Sequence, residues 1–466
     1  MFSTPLRLTR EAATEQLAAR LTAIRGELEL PEAFPDDVLA ETRAAIAAYR
    51  LPDVDRTDIP LCTVDPEGST DLDQALHLER LGDGFRVYYA IADVAAFVAP
   101  GGALDAEALA RGQTLYAADG RIPLHPAELS EGAASLLPDV DRGAYLWEVD
   151  LDAAGAITGA TVARARVRSR RQWTYDEAQD AVDSDPLLDL LREVGELRLA
   201  REAERGGASL ATPEALVIPD GDGYRLERRR LLPVEQWNAQ LSLLTGMAAA
   251  DLMLGSGVGV LRTMPPADDE AIARFRRQTR ALGEPWPEGE RYGDYLRRLS
   301  PTDPEHLAIR HAAAALFRGA AYRPFDGDPP EETVQAAIGA PYAHVTAPLR
   351  RLVDRHGLVV CAAISAGEPV PDWAREALPE LPSSMGRSSS LAGRLDRMTL
   401  EAVEAAVLAP RVGAEFRGVA LDDHTVQLHH PAVEAECDGD LEPGTDVTVR
   451  LVEADVATGT VRFTPA

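Results

Sequence analysis

The sequence predicts a mixed α+β fold with a helical module at its N-terminal end and a small β-barrel at its C-terminal end. Three observations carry this: apolar residues at helical spacing over the first fifty residues or so, strand-like alternation interleaved with long helical runs through the middle, and short alternating runs between turns at the end. Arg10 to Arg25 and Pro35 to Tyr49 read as helices, with Pro31 and Pro35 between them. The centre alternates strands, such as Phe85 to Ile91 and Trp147 to Leu151, with helices, such as Pro186 to Glu204 and Ala239 to Leu254. Glu368 to Ser390 is rich in Pro and Ser and reads as a loop between helices. Beyond Arg411 the runs Glu415 to Leu421, Thr425 to Leu428, Asp446 to Glu453 and Val461 to Thr464 suggest short strands, for which an OB-fold barrel is the natural candidate. The division expected is 1–57, a helical module; 58–408, a large α+β domain; and 409–466, the barrel. A chain of 466 residues is long enough for that arrangement.

The formal net charge of −29 is the wrong sign for a protein that grips a polyanion over its whole surface, so the basic residues must be concentrated. All of them are Arg. The absence of Lys removes Schiff-base, pyridoxal and P-loop chemistry, and with it a nucleotide cofactor of that kind, while leaving planar forks suited to phosphate. Arg164, Arg166, Arg168 and Arg170 alternate on an expected strand, with Arg171 beside them, so one sheet face would be a basic stripe; an exposed strand carrying Arg for solubility is the competing reading. Arg228-Arg229-Arg230 is a weaker case, and Arg274, Arg276, Arg277 and Arg280 read as a solvated helix face. Cys62, Cys361 and Cys437 are far apart and odd in number, which suits buried thiols in a reducing compartment. With no apolar run near the ~20 residues of a membrane span and no secretion signal, the expectation is a cytoplasmic protein without membrane contact.

The segment Asp65-Pro66-Glu67-Gly68-Ser69-Thr70-Asp71-Leu72-Asp73-Gln74 is the most informative in the chain. It leaves the apolar run Ile59 to Val64 and enters Ala75-Leu76-His77-Leu78. Asp71 and Asp73 share a face if the chain is extended, and Asp65 can fold back across the Pro66–Gly68 turn. Converging carboxylates of this kind suit a hard cation such as Mg²⁺. A solvated turn of the same composition is the ordinary alternative, and the ligand ladder of a calcium hand is missing.

The stretch Leu61 to Val98, with Asp65, Ser69, Asp71-Leu72-Asp73 and Tyr89-Ala90-Ile91-Ala92-Asp93-Val94-Ala95, resembles the catalytic signature of the ribonuclease II and ribonuclease R (RNB) exoribonuclease family. Further blocks follow in family order: Arg111-Gly112-Gln113-Thr114-Leu115-Tyr116, Ile122-Pro123-Leu124-His125-Pro126, Leu129-Ser130, Ser135-Leu136, and the run from Tyr342 to Asp354. The resemblance implies an RNB catalytic domain that hydrolyses single-stranded RNA from its 3′ end to nucleoside 5′-monophosphates, with Mg²⁺ as cofactor and Mn²⁺ as a substitute. It implies that Asp65, Asp71 and Asp73 hold and orient the metal and its water, with Asp73 the most activity-critical carboxylate. Arg350 matches the family's catalytic arginine, against a structural reading in which it bridges to Asp354 one helical turn on. Tyr116 matches the aromatic clamp on the terminal nucleotide. Gln240 lies about where relatives place a Glu near the ribose, and an amide there could read a 2′-hydroxyl. Arg351 is the further substrate-binding candidate beside Arg350. The C-terminal strands resemble the OB-type S1 RNA-binding domain that closes many family members.

Two departures stand out. The loop's fourth acidic position is Gln74, whose amide oxygen could serve as a neutral ligand, with Glu67 a candidate for the missing charge; the expectation is activity with a raised metal requirement or a shift toward Mn²⁺, and an unchanged Mg²⁺ optimum in Gln74→Asp would count against it. Relatives also carry two cold-shock barrels upstream, which fewer than sixty residues cannot hold. This predicts altered handling of structured RNA with a 3′ overhang. The alternative to an enzyme is a catalytically weakened RNA-binding protein of the same fold. A phosphodiesterase or phosphatase acting on small molecules is disfavoured, because such a substrate needs neither the barrel nor the Arg stripe, and DNA as substrate stays open.

Overall fold

The computed structural model describes residues 7–8, 15–118, 120–208, 214–220, 223–229, 231–300, 304–421, 423–431, 433–443 and 445–466. Helices α1 (Glu15–Glu27) and α2 (Asp36–Ala48) come first. They share no common core: Leu17, Leu21 and Ile24 of α1 pack with Leu115, Ile122 and the late helix residues Leu395 and Ala402, whereas Val38 of α2 packs with Ile59, Leu72 and Phe97. The two N-terminal helices therefore pack on different cores.

The centre is organised around a closed five-stranded barrel of β1 (Leu61–Asp65), β2 (Gln74–Leu81), β3 (Gly84–Ala92), β4 (Asp141–Leu151) and β5 (Ile157–Thr174). Neighbours pair antiparallel in chain order, and β5 returns to run parallel with β1, placing Asp65 beside Thr174. Alternation along the strands sends Tyr89 and Trp147, both fully buried, into one apolar core with Phe85 and Val149. Helix α3 (Pro186–Glu204) starts where Asp185 accepts the N–H groups of Leu187 and Leu188 and Pro186 occupies the first turn. It packs on α4 (Pro233–Ser256), which ends at Gly257 in the left-handed region. Helix α5 (Leu352–Ala366) packs on α4 and β5.

Helix α6 (Leu381–Leu408) overturns the expected loop across Glu368 to Ser390. Pro382 falls in the first turn, where its missing N–H costs nothing, and the serines turn back onto backbone oxygens, Ser384 Oγ donating to Leu109 O and Ser388 Oγ to Met385 O.

A second closed barrel follows, with β6 (Glu415–Ala420), β7 (Thr425–Leu428), β8 (Glu434–Cys437), β9 (Asp446–Asp455) and β10 (Thr460–Pro465) in the order β6-β7-β8-β10-β9. Its one parallel contact, β8 with β10, is the five-stranded Greek-key closure of an OB fold. Strand β8 escaped the sequence reading because two of its four residues are glutamates.

The basic stripe is also corrected. Arg164 pairs with the buried Asp93, Arg166 with Asp55 and Arg168 with Asp141, while Arg170 donates to Thr57 O and Arg171 lies over the Trp173 ring. These forks fasten strands and loops together and leave no continuous positive track. Arg276 of the other cluster lies over Trp286, and Arg274, Arg277 and Arg280 are exposed as expected of a solvated face. Arg228-Arg229-Arg230 falls outside the residues whose side chains are described. Among the described residues no helix is long and apolar enough to cross a membrane.

Candidate active site

Strand β1 ends at Asp65, and the chain turns at Pro66–Ser69, where the Ser69 N–H reaches Pro66 O and Gly68 takes φ +77°, a region only glycine enters freely. Leu72, with no exposed surface, anchors the returning strand. Its N–H donates to Ser135 Oγ at 2.9 Å, Ser135 Oγ donates to Thr70 O at 2.7 Å, and Leu136 N–H donates to Leu72 O at 3.0 Å. The Ser135-Leu136 block thus clamps the acidic loop, and period-two alternation about the buried Leu72 turns Asp71 and Asp73 to the opposite side.

Asp73 is 6% exposed. Its Oδ1 accepts the Leu349 N–H at 2.8 Å, and its Oδ2 lies 3.3 Å from Arg350 Nε. Arg350 is placed from the other side, because Thr114 N–H donates to Arg350 O and Leu352 N–H donates to Gly112 O. Gly112 is required there: a Cβ would fall 2.6 Å from Ser388 Oγ, and φ is +69°. This backbone pairing carries the hairpin Leu115–Ala117 and Gly120–Ile122 over the acidic cluster. Tyr116 on that hairpin is 47% exposed, with Arg350, Asp71 and Asp73 about its hydroxyl. Burial raises the Tyr116 hydroxyl above the usual phenol range, Asp71 and Asp73 add to the rise and Arg350 opposes it.

Burial pushes the Asp73 carboxyl up to about 7 against the pull of Arg350 and the Leu349 N–H, and pushes Asp65 up to about 6. Asp65 Oδ2 is buried with no hydrogen-bond partner, which a cation would satisfy. The oxygen donors of Asp65, Asp71 and Asp73 therefore fit a hard divalent ion in chemistry. Among the described residues, however, no three carboxylate, imidazole or thiolate groups converge as a ready metal cluster. Two of the three carboxylates are held by guanidinium groups, Asp73 by Arg350 and Asp71 by Arg121 at 2.6 Å.

Three expected roles change on the geometry. Gln74 is a brace: its amide nitrogen donates to Thr346 O at 2.7 Å and its amide oxygen accepts the Tyr89 hydroxyl, so both ends are committed within the protein and the ligand role is not what its geometry serves. Gln240 is 2% exposed and donates to Glu202 on α3. It lies on the face of α4 turned away from the acidic loop, whereas Asn238 donates to Val64 O and Ser242 bonds Thr346 on the side facing it. Arg351, not Arg350, makes the bridge to Asp354, donating through Nε and Nη2 at 2.9 and 2.8 Å, and Asp354 also accepts the Ala347 N–H. Arg351 thereby shapes the loop and leaves Arg350 free to face Asp73. Glu67 is exposed at the loop's outer edge. Sequence reasoning missed Arg121, Leu349 and Thr346; the signal for Arg121 was its place opposite Tyr116 in the hairpin.

Residues 54–360 match the model of the RNB domain, and residues 412–466 that of the RNase II-type exonuclease C-terminal S1 domain. Ribonuclease R of Escherichia coli is 29% identical over 353 residues, covering 70% of this chain and 42% of that protein. The human exosome complex exonuclease RRP44 is 31% identical over 315 residues, covering 63% of this chain and 32% of that protein. The chain spans less than half the length of the ribonuclease R relatives it matches. In fold it is similar to Mycoplasma genitalium RNase R in complex with ribose-methylated single-stranded RNA, at a TM-score of 0.84 and 18% identity over 97% of this chain and 78% of that one. It is also similar to yeast Ssd1, a pseudonuclease, at a TM-score of 0.65 and 13% identity over 90% of this chain and 55% of that one. An RNB match over most of the chain, joined to an S1 match over the second barrel, makes this protein a member of the RNase II/R family.

Proposed function

We propose that the protein is a 3′-to-5′ exoribonuclease that hydrolyses single-stranded RNA to nucleoside 5′-monophosphates, with residues 58–408 as the catalytic unit and 409–466 as an RNA-binding barrel. The observation that carries it is the buried Asp73 carboxylate, shared between the Leu349 N–H and Arg350, beside an unpartnered Asp65 oxygen and below a half-exposed Tyr116. Asp65, Asp71 and Asp73 would hold Mg²⁺, or Mn²⁺ in its place, and that ion supplies charge neutralisation at the phosphate and a water of lowered pKa. Tyr116 presents a ring on which any terminal base can stack. The Arg350 side chain is 46% exposed, so its fork can meet the non-bridging oxygens of the last phosphodiester while its Nε stays near Asp73. Asp73 fixes that fork, and the Leu349 N–H fixes Asp73.

The substrate extends to RNA with a 3′ overhang, in keeping with one similar protein, Mycoplasma genitalium RNase R, solved on single-stranded and on double-stranded RNA. RNA turnover in the cytoplasm is the setting proposed. A second reading, RNA binding with weakened catalysis, draws on Gln74 at the family's fourth acidic position and on the likeness in fold to a pseudonuclease. A 5′-labelled RNA and its DNA equivalent, each with Mg²⁺ and with chelator, separate the two. A metal-dependent ladder shortening from the 3′ end of RNA only supports the exoribonuclease; retained binding without cleavage in Mg²⁺ or Mn²⁺ supports the second reading.

A further inference from the structure

Arg121 pairs with a carboxylate of the proposed metal site. Its Nη1 lies 2.6 Å from Asp71 Oδ1 and its Nη2 lies 2.7 Å from Glu131 Oε1, with Thr70 Oγ1 at 3.3 Å from the same nitrogen. Thr70 in turn donates to Glu131 Oε2 at 2.8 Å, which fixes that carboxylate. Arg121 thus has two acidic partners from different parts of the chain, the loop before β2 and the short helix Glu128–Ala133. The difference between them matters. Glu131 is not one of the proposed metal carboxylates, whereas Asp71 is. If Asp71 turns to a divalent ion, Arg121, itself partly exposed, keeps Glu131 and is not left without an acidic partner.

We propose that Arg121 is a resident latch on Asp71: its guanidinium occupies the third carboxylate of the site until a divalent cation displaces it, and Glu131 holds it in waiting. This rests on the reading of Asp65, Asp71 and Asp73 as a metal site. The latch also ties metal occupancy to the substrate clamp, because Arg121 and Tyr116 are directly opposed in the hairpin. Release of Asp71 removes the one ionic link between that hairpin and the acidic loop found among the described residues.

The test is Mn²⁺ binding to the full chain without RNA, followed by electron paramagnetic resonance of free Mn²⁺, for the natural protein, Arg121→Gln and Arg121→Lys. Arg121→Gln is expected to bind Mn²⁺ about tenfold more tightly, because the competing charge is gone. Arg121→Lys keeps the charge but cannot span Asp71 and Glu131 as a planar fork does, and it is expected to bind about threefold more tightly. Thermal melting of each variant in chelator verifies folding. Unchanged or weaker Mn²⁺ binding in Arg121→Gln overturns the latch, and so does Arg121→Lys binding as the natural protein does, since charge alone would then explain the first variant. RNA cleavage, scored separately, keeps the two readings apart. Tightened Mn²⁺ binding without cleavage by the natural protein removes the exoribonuclease and leaves the latch. Cleavage with no tightening removes the latch and leaves the exoribonuclease.

Discussion

The two five-stranded barrels solve the same closure problem and differ in what they bury. The first encloses or covers Asp73 and Asp93 at 6% and 0% exposure, both facing guanidinium groups, and its strands run to eleven and eighteen residues. The second has a plainly apolar interior of Val426, Leu428, Val449, Leu451 and Phe463, with the Phe416 and Phe463 rings edge to face at 5.8 Å. Its charges pair on the surface, Arg450 with Glu415 and Arg462 with Asp438. Exposed pairs of that kind contribute little to stability, about 0–1 kcal/mol each, whereas a buried carboxylate is kept at a cost that chemistry can repay. Under the proposed function, the contrast assigns reaction to the first barrel and holding of the strand to the second.

The largest effect that would sharpen this contrast is Phe463→Ala. Emptying the second core should cost about 3–5 kcal/mol in chemical denaturation and weaken binding of a long RNA more than turnover of a short one. Equal losses on both substrates would mean that the barrels share the chemistry. Next comes Arg350→Ala, for which kcat on single-stranded RNA is expected to fall about 10²–10³-fold while the melting temperature changes little. Tyr116→Ala should remove about 1–3 kcal/mol of stacking, seen as roughly a tenfold rise in KM with kcat less affected.

A pH effect belongs to the seam between α6 and the second barrel. Glu404 on α6, near Glu401 and Glu434, has its carboxyl raised by burial from 4.5 to about 8, with both neighbours adding to the rise. In that window the unfolded chain has lost the proton that the folded chain keeps, so stability should decline as pH rises from 4.5 toward about 8 and level off above it. Thermal melts across that range read the slope, and Glu404→Gln should reduce it, leaving the part below about 7 that the raised Asp65 and Asp73 carboxyls contribute. The smallest effect is expected of Gln74→Asp. A carboxylate cannot donate to Thr346 O, so about 1 kcal/mol of stability should be lost with the Mg²⁺ optimum unchanged. A lowered metal requirement would instead restore Gln74 as a missing ligand.

Much of the architecture was legible wherever the signal was local. Pro186 to Glu204 announces its helix through Asp185 and Pro186, and the second barrel through alternation between turns. Closure of the first barrel was not legible, because the parallel pairing of Leu61 with Ser169 leaves no local mark in either strand. The Arg stripe misled for a related reason. Its alternation was read correctly, but Asp93 and Asp55 lie 71 and 111 residues away from their partners. Within the proposed site, the spacing of Asp65, Asp71 and Asp73 suited a cation or a solvated turn alike and the family resemblance decided between them, while Arg350 and Tyr116 came only through that resemblance. Gln240 failed because adjacent positions of one helix face different ways: Asn238 and Ser242, two residues to either side, meet the site and Gln240 meets α3.

The most direct measurement pairs RNA binding with single-turnover cleavage for the natural protein and Asp73→Asn. The amide keeps the size of the side chain and can still accept the Leu349 N–H, so the fold and the S1 barrel should hold RNA within about threefold of the natural affinity. Cleavage should fall by about three orders of magnitude or more, because the charge that orients Arg350 and the cation is gone. An Asp73→Asn protein that shortens RNA at the natural rate would contradict a catalytic centre at Asp73 and Arg350.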